Sequence, residues 1–298
     1  MRLRPHPEDA EFGAVLHRAL SSSPAEIRPR LAALGVTGLA VPERFGGTAA
    51  AVGTLVIAAE ELGHHAVPGP VAESLAAVPV LLTACPDSFA GKWLPELAAG
   101  RVTAALAAPP WMPVAAPADL VLSAGPSYTS LVSCAGAESP GSCDRVVAEG
   151  AALAPVVERA LNLGMLVCAA QLLGAGRALL EMSVEHARTR TQFGGPIGRF
   201  QAVQHRLADV AVGLEFARPL LYAAAAALSS RDVSAAKVAC GEAAHRAARA
   251  ALQVHGASGY TWEHAIRPFL TTARTLRFSW GTPSQHRARI MTELEAEP

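Results

Sequence analysis

The chain has 298 residues, 51% of them hydrophobic and 17% charged, which is length for about two domains and ample chain for a large core. Its 25 basic side chains balance 25 acidic ones, which argues against a nucleic-acid partner and against a polybasic membrane contact. The charged fraction lies below the ~25% of an average soluble domain, so extra surface is expected to be buried, most simply between subunits.

Along the chain, three regions differ. Residues 1–100 carry Ala and Leu at helical spacing and read as an N-terminal helical domain. Ser21-Ser22-Ser23-Pro24 reads as a cap leading into a helix over 25–34. Val41-Pro42-Glu43-Arg44-Phe45-Gly46-Gly47 is a loop: Pro42 forces an extended entry and the glycine pair permits positive φ. Helices are predicted over 52–62, 71–83 and 88–98, with Pro68-Gly69-Pro70 separating the first two. Residues 101–150 hold six prolines and no helical period. Short β-like runs at 120–123, 130–134 and 144–148 predict a reduced middle β region of a few strands.

Residues 151–298 return to helix, predicted over 163–190, 201–228, 234–254 and 284–295, as a C-terminal four-helix bundle. Val203, Leu207, Val210, Leu214, Ala217 and Leu221 form one apolar stripe, and Pro219 is expected to kink that helix. The fold class is therefore mainly α, with a truncated β connector. No contiguous apolar run reaches the ~18 residues of a membrane span. The opening residues, MRLRPHPEDAEFGAVL, lack the apolar stretch of a signal peptide. Cys85, Cys134, Cys143, Cys168 and Cys240 are dispersed without a CxxC pair, as expected of reduced thiols in a cytoplasmic protein.

Two stretches carry candidate chemistry. In Arg190-Thr191-Gln192-Phe193-Gly194-Gly195-Pro196-Ile197-Gly198-Arg199-Phe200-Gln201, one helix ends and another begins. An Arg at one helix end and a Gln at the next helix start can both address one anion; a plain helical hairpin is the more ordinary reading. In Gln253-Val254-His255-Gly256-Ala257-Ser258-Gly259-Tyr260, a helix ends in a glycine-bounded loop whose free N–H groups could approach a phosphate, or which is a simple C-cap. Other signals are weaker. Gly174-Ala175-Gly176-Arg177 lacks the preceding strand and third glycine of a dinucleotide fingerprint and reads as helix packing. His64-His65 has no carboxylate or third histidine at ligand spacing, so no metal site is expected. His255 and His286 read first as neutral core or surface histidines, and second as phosphate or ribose contacts.

Together the two stretches resemble the acyl-CoA dehydrogenases, flavoproteins that desaturate acyl-CoA thioesters between the α and β carbons. The resemblance runs through residues 31–43 (LAALGVTGLAVPE), Phe45-Gly46-Gly47, Glu60-Glu61-Leu62-Gly63 and residues 93–97 (WLPEL). It continues through Arg190-x-x-Phe193-Gly194, Phe200-Gln201, Leu207-Ala208-Asp209, Gln253-x-x-Gly256-x-x-Gly259-Tyr260 and Gly281-Thr282. It implies that Arg190 binds the FAD pyrophosphate with Phe193 and Gln201 beside it, and that Gln253 and Gly256 hold the adenosine side. In the family these groups serve a neighbouring subunit's FAD, and Thr282 belongs to a loop on the chain's own flavin. An electron-transfer flavoprotein then receives the electrons.

The departures point further. Where the family keeps its catalytic glutamate, before the Gly-Thr pair, this chain has Trp280. The alternative glutamate position, on the long helix before Arg190, aligns with Gly164. Indole is no base, and abstraction of an α proton requires one. Glu158 is the remaining candidate base, while Glu181 and Glu185 read as solvated helix residues. Family members also carry a β-domain whose Thr-Glu-Pro and Trp-x-Thr segments have no counterpart in 101–150. Some bacterial acyl-CoA dehydrogenases, including those of steroid breakdown, pair two unlike subunits, and this chain looks like the one that completes the FAD site while its partner supplies the base. A homo-oligomer without flavin chemistry is the alternative, and Trp280 could fill the space of an acyl chain.

Overall fold

The computed structural model describes residues 7–21, 27–112, 117–125, 127–134 and 143–296. The expected cap at Ser22-Ser23-Pro24 and the start of its helix lie outside these residues. Helix α1 (Pro7–Leu20), which the sequence reading did not single out, opens the fold and presents Phe12, Leu16 and Leu20 on one face. These pack on α3 (Val52–His64) through Leu55, Ala58 and Leu62, with the short α2 (Ile27–Ala33) adding Leu31. The predicted 71–83 helix contains a π-helical turn (Glu73–Ala77) before α4 (Val78–Leu82); α5 (Asp87–Ala98) follows.

Four strands come next: β1 (Ala104–Ala107), β2 (Leu120–Ala124), β3 (Ser130–Cys134) and β4 (Cys143–Glu149). They form one sheet in sequence order, β1 parallel to β2 and the rest antiparallel. The last three match the predicted runs. β1 was missed because its sequence, AALA, reads as helix former; buried on both faces, it shows no alternation.

The C-terminal part is organised around α6 (Leu153–Thr189), buried over most of its 37 residues. Around it lie α7 (Gln201–Ala227), α8 (Ser230–His255), α9 (Arg267–Phe278) and α10 (Pro283–Ala296). The bundle thus has the four expected helices and a fifth, α9, which the sequence reading missed although Phe269, Leu270, Ala273 and Leu276 form an apolar stripe that packs on the core. The α7 stripe is buried from Leu207 to Leu221, and the helix continues through Pro219. In α8, alanines 236, 243, 244, 247, 250 and 251 are buried, which permits close approach to α6.

Helices α3 and α6 cross where both chains carry glycine. A Cβ on Gly63 would lie 2.1 Å from the Gln171 carbonyl oxygen, and one on Gly174 would lie 1.9 Å from that of Glu60. Gly174 and Gly176 therefore serve backbone packing, as the missing strand implied. Beside the crossing, Glu60 is 5% exposed and pairs with Arg177 (2.7 Å) and Arg218 (3.2 Å), tying α3 to α6 and α7.

Two helices, α6 and α7, are by length and composition long and apolar enough to cross a membrane; 89% of the apolar stretch of α6 is buried inside the fold, as in a core helix, and 39% of that of α7. Cys85, Cys168 and Cys240 are free and buried.

Candidate functional site

The Arg190 motif builds one end of the bundle. The Arg190 N–H donates to the His186 carbonyl and its carbonyl accepts from the Ile197 N–H, both at 2.9 Å. A two-residue hairpin, β5 (Thr191–Gln192) with β6 (Gly195–Pro196), turns the chain toward α7. Phe193 occupies the left-handed region (φ 53°) and is 84% exposed. The Arg199 guanidinium donates to the Phe193 and Gly194 carbonyls and is consumed in holding this turn. Arg190 is different: its backbone is pinned on both sides while its exposed side chain points to no partner among the described residues. Gln201 is exposed on the first turn of α7, where the unpaired N–H groups and the helix dipole favour an anion.

Gln253 and Gly256 belong to the same end. His186 on α6 stacks on His255 of α8 with ring centroids 4.3 Å apart, which brings the two helix ends side by side. Gly256 has φ 62°, and a Cβ there would meet nothing within 4 Å, so the surface above it is open. The expectation of free N–H groups in this loop is corrected at Gly256, whose N–H donates to the Leu252 carbonyl; residues Gly256–Tyr260 form a 3₁₀ turn. Beside Gln253 lies a cleft of about 690 Å³ lined by Arg206, Arg246 and Arg249, with Asp209 at its wall. Sequence reasoning missed this basic cleft because its arginines come from two different helices. Burial first, then the neighbouring His255 and Arg190, lowers the His186 imidazole below its ordinary value. Burial likewise lowers His255, whose Nδ1 bonds the Ala251 carbonyl, so the first reading of that residue, a neutral core histidine, holds. Free cationic groups, exposed amides and an open glycine surface fit an anionic dinucleotide.

Trp280 stands elsewhere. It is 1% exposed and sits in the left-handed region (φ 60°), unusual for an aromatic residue. Its N–H contacts the Met112 sulfur at 3.2 Å, and its carbonyl accepts from His286 Nε2 at 2.8 Å. The next residue, Gly281, donates its N–H to the Trp111 carbonyl at 3.0 Å. A Cβ built on Gly164 would lie 2.2 Å from the indole ring of Trp280. The two positions where the resemblance places a glutamate therefore face each other, and one large side chain fills both. His286 is fully buried; burial lowers its imidazole to about 4, and Ser234 Oγ contacts Nδ1 at 3.2 Å. It is a neutral core histidine that holds the Trp280 carbonyl.

Thr282 is committed locally. Its N–H donates to Gln285 Oε1 (2.8 Å) and its Oγ1 accepts from the Gln285 N–H (3.2 Å), a capping box at the start of α10. The resemblance places Thr282 on a different flavin from the other cofactor residues, and the structure sets it apart from them. Arg190, Phe193, Gln201, Gln253 and Gly256 share one end of the bundle, and Trp280 and Thr282 lie at another place. From Gly164, under the Trp280 ring, to His186, beside Arg190's end, α6 runs about 33 Å.

The remaining carboxylates are accounted for. Glu158 is 57% exposed and held by Ser230 Oγ (2.9 Å) and Arg289 (3.6 Å), a surface ion pair rather than a base beside the filled glutamate positions. Glu185 is exposed, as expected, but Glu181 is more than a solvated residue: it bonds His64 Nε2 at 2.9 Å, which lowers its carboxyl. The fold supplies the third histidine, because α1 brings His17 against His64 and His65; the expectation of no carboxylate at ligand spacing is corrected, since Glu61 lies one helical turn before His64 and turns toward His17.

Sequence reasoning also missed Glu73, a lone acid in an apolar helix, 6% exposed on the π-helical turn that packs on α6. Burial pushes its carboxyl up to about 7 from an ordinary 4.5, its own backbone hydrogen bond opposing. The folded state therefore holds this proton more tightly than the unfolded chain. The site's contribution to stability is full below about pH 4.5 and is lost as pH rises through about 7. Glu73→Gln is expected to exceed the parent in stability at about pH 8, by up to about 3 kcal/mol, and to match it near pH 4. Urea unfolding midpoints at the two pH values check this.

The acyl-CoA dehydrogenase N-terminal domain family matches residues 4–101, and the acyl-CoA dehydrogenase C-terminal domain family matches residues 154–294. The chain is 32% identical to the acyl-CoA dehydrogenase IpdE2 of Mycobacterium tuberculosis over 89% of this chain and 85% of that protein. Among solved structures, a chain of the ChsE4-ChsE5 complex from Mycobacterium tuberculosis superposes with a TM-score of 0.81 at 25% identity, over the full length of both. A glutaryl-CoA dehydrogenase from Mycobacterium smegmatis, solved in complex with FADH2, superposes with a TM-score of 0.83 over 98% of this chain and 96% of that one; at 17% identity it speaks for the fold alone. With both helical regions matched, and one relative similar over most of its length, the chain belongs to the acyl-CoA dehydrogenase family.

Proposed function

We propose that this chain is the subunit of a heteromeric FAD-dependent acyl-CoA dehydrogenase that completes the partner's FAD site while the partner supplies the catalytic base. The observation that carries the reading is the Trp280 indole against Gly164, which fills both glutamate positions at once. No other carboxylate named by the sequence takes over, since Glu158 is a surface ion pair. The roughly 33 Å along α6 between this plug and the Arg190 end supports the assignment of the latter to another chain's flavin. Similarity to a chain of the two-component ChsE4-ChsE5 assembly adds to it.

In this reading Arg190 neutralises the FAD pyrophosphate with charge-assisted hydrogen bonds, a task for which its free guanidinium is suited. Gln201 and Phe193 would sit beside Arg190 at the pyrophosphate, and Gln253 and Gly256 would hold the adenosine side. Thr282, which the resemblance places in the loop on the chain's own flavin, would keep its cap on α10 there. FAD, when bound, supplies the hydride acceptor for α,β-desaturation of the acyl-CoA, with an electron-transfer flavoprotein downstream and a cytoplasmic setting. The working units are an N-terminal helical domain (1–100), a reduced β region (101–150) and a C-terminal helical unit (151–298). Purification of the chain alone, and after co-expression with the dehydrogenase-like product of an adjacent gene, tests the reading by absorbance. An oxidised-flavin band is expected only in the complex. A band from the chain alone overturns the split site, and no flavin in either sample gives the non-redox homo-oligomer instead.

A further inference from the structure

We propose that His17, Glu61, His64 and His65 form a zinc site that ties helix α1 to the C-terminal end of α3. One donor atom from each of the four residues lies within 4.8 Å of all the others. His17 Nδ1 is 2.9 Å from Glu61 Oε2 and 3.2 Å from His65 Nε2. Tetrahedral zinc, with bonds of about 2.0–2.2 Å to nitrogen and oxygen, sets its ligands about 3.3 Å apart. The three imidazole centroids are 4.8–5.2 Å from one another.

The cluster is poorly satisfied by hydrogen bonds alone. A ring nitrogen carries one proton or one lone pair, so His17 Nδ1 cannot make full hydrogen bonds to both Glu61 and His65. His64 is 8% exposed, and its Nδ1 is buried with no hydrogen-bond partner. A cation draws on the lone pairs that the rings now turn toward each other. The surroundings suit one. Glu181 accepts from His64 Nε2 at 2.9 Å, the outer carboxylate that commonly orients a metal-bound imidazole. Arg177 holds the other oxygen of Glu61 at 3.3 Å, leaving Oε2 turned toward His17. The charge of Arg177 is itself offset by Glu60 at 2.7 Å.

Donor chemistry selects the ion. Three imidazoles and one carboxylate, with no thiolate, suit zinc, and four protein ligands close its coordination, as in structural sites. His17, Glu61 and His64 line an open cleft of about 990 Å³ through which a hydrated ion can enter. Spacing along the chain conceals the site because His17 comes from α1 and the other three ligands from the end of α3.

The full-length chain, stripped with chelator and dialysed, is titrated with zinc and assayed for bound metal; cobalt replaces zinc for spectroscopy. One equivalent of zinc per chain is expected, with tetrahedral cobalt absorption bands and slowed hydrogen exchange in α1. His17→Ala is expected to abolish the bound equivalent; the side chain is 43% exposed, so its removal leaves the core intact. Glu181→Gln is expected to weaken binding about 10- to 100-fold. His264→Ala, in the separate His186–His255–His264 group, keeps full binding. Less than one equivalent under excess zinc, or binding unchanged in His17→Ala, overturns the proposal. So does loss of the equivalent in His264→Ala.

Discussion

Arg190→Ala in the assembled complex is expected to weaken FAD retention roughly 30- to 5000-fold while leaving the subunits associated. The range follows from the about 2–5 kcal/mol that truncating one partner of a desolvated, hydrogen-bonded charge pair costs. Three features make the effect specific. The Arg190 backbone is fixed by the His186 carbonyl and the Ile197 N–H, so the substitution does not release the turn. The turn itself is held by Arg199, which remains. No folded-state partner of the Arg190 side chain is lost among the described residues, so the chain alone should unfold as the parent does. Arg190→Lys keeps the charge but not the planar fork, and an intermediate affinity is expected. Flavin-to-protein ratio after gel filtration, followed by FAD titration of the stripped complex, measures the effect. Unchanged occupancy would place the pyrophosphate away from this end of the bundle.

What the sequence disclosed, and what it concealed, divides along a physical line. The α7 stripe was legible because burial on one face of a helix writes a periodic signal into neighbouring residues. The Arg190 turn and the packing role of Gly174 were legible because each is local, fixed by Gly, Pro and the absence of a strand. Strand β1 escaped because burial on both faces removes the alternation that marks a strand. The basic cleft beside Gln253 and the histidine cluster escaped for another reason. Arg206 with Arg246 and Arg249, or His17 with His64 and His65, lie on different helices, and only packing brings them together.

Trp280 and Gly164 lie between these cases. The sequence shows two separate departures from a family pattern, 116 positions apart. The fold shows that they are one exchange of volume: the Cβ that Gly164 lacks is the space the indole takes. Read as two losses, they describe decay. As one complementary pair, pinned at the Trp280 backbone by Met112 and His286, they describe a site rebuilt as core.

A test of that view is Trp280→Ala, which removes a fully buried ring and is expected to cost about 3–5 kcal/mol, a fall in melting temperature of roughly 5–8 °C for a chain of this length. The left-handed backbone at this position gives an internal check. Trp280→Gly relaxes the φ strain that alanine keeps, so it should lose less than its larger entropy in the unfolded chain would suggest. Trp280→Glu is the sharper experiment, because it returns the family's acid to its own position. There the carboxylate would be buried next to Met112 and the Gly164 backbone, with neutral His286 holding the local backbone and the charges of Lys237 and Arg289 reaching that histidine. Burial of the acid in place of the indole should destabilise the chain at least as much as alanine does, and more at high pH than at low, since desolvation of the ionised form is what costs. It should also give the isolated chain no dehydrogenase activity, because an acid restores a proton acceptor without restoring a flavin in reach of it. Thermal melts at two pH values and a dye-reduction assay with acyl-CoA, on the chain alone and on the complex, separate the outcomes. Turnover by the isolated Trp280→Glu chain would mean that it lacks nothing but a base, and the split-site reading would fall with it.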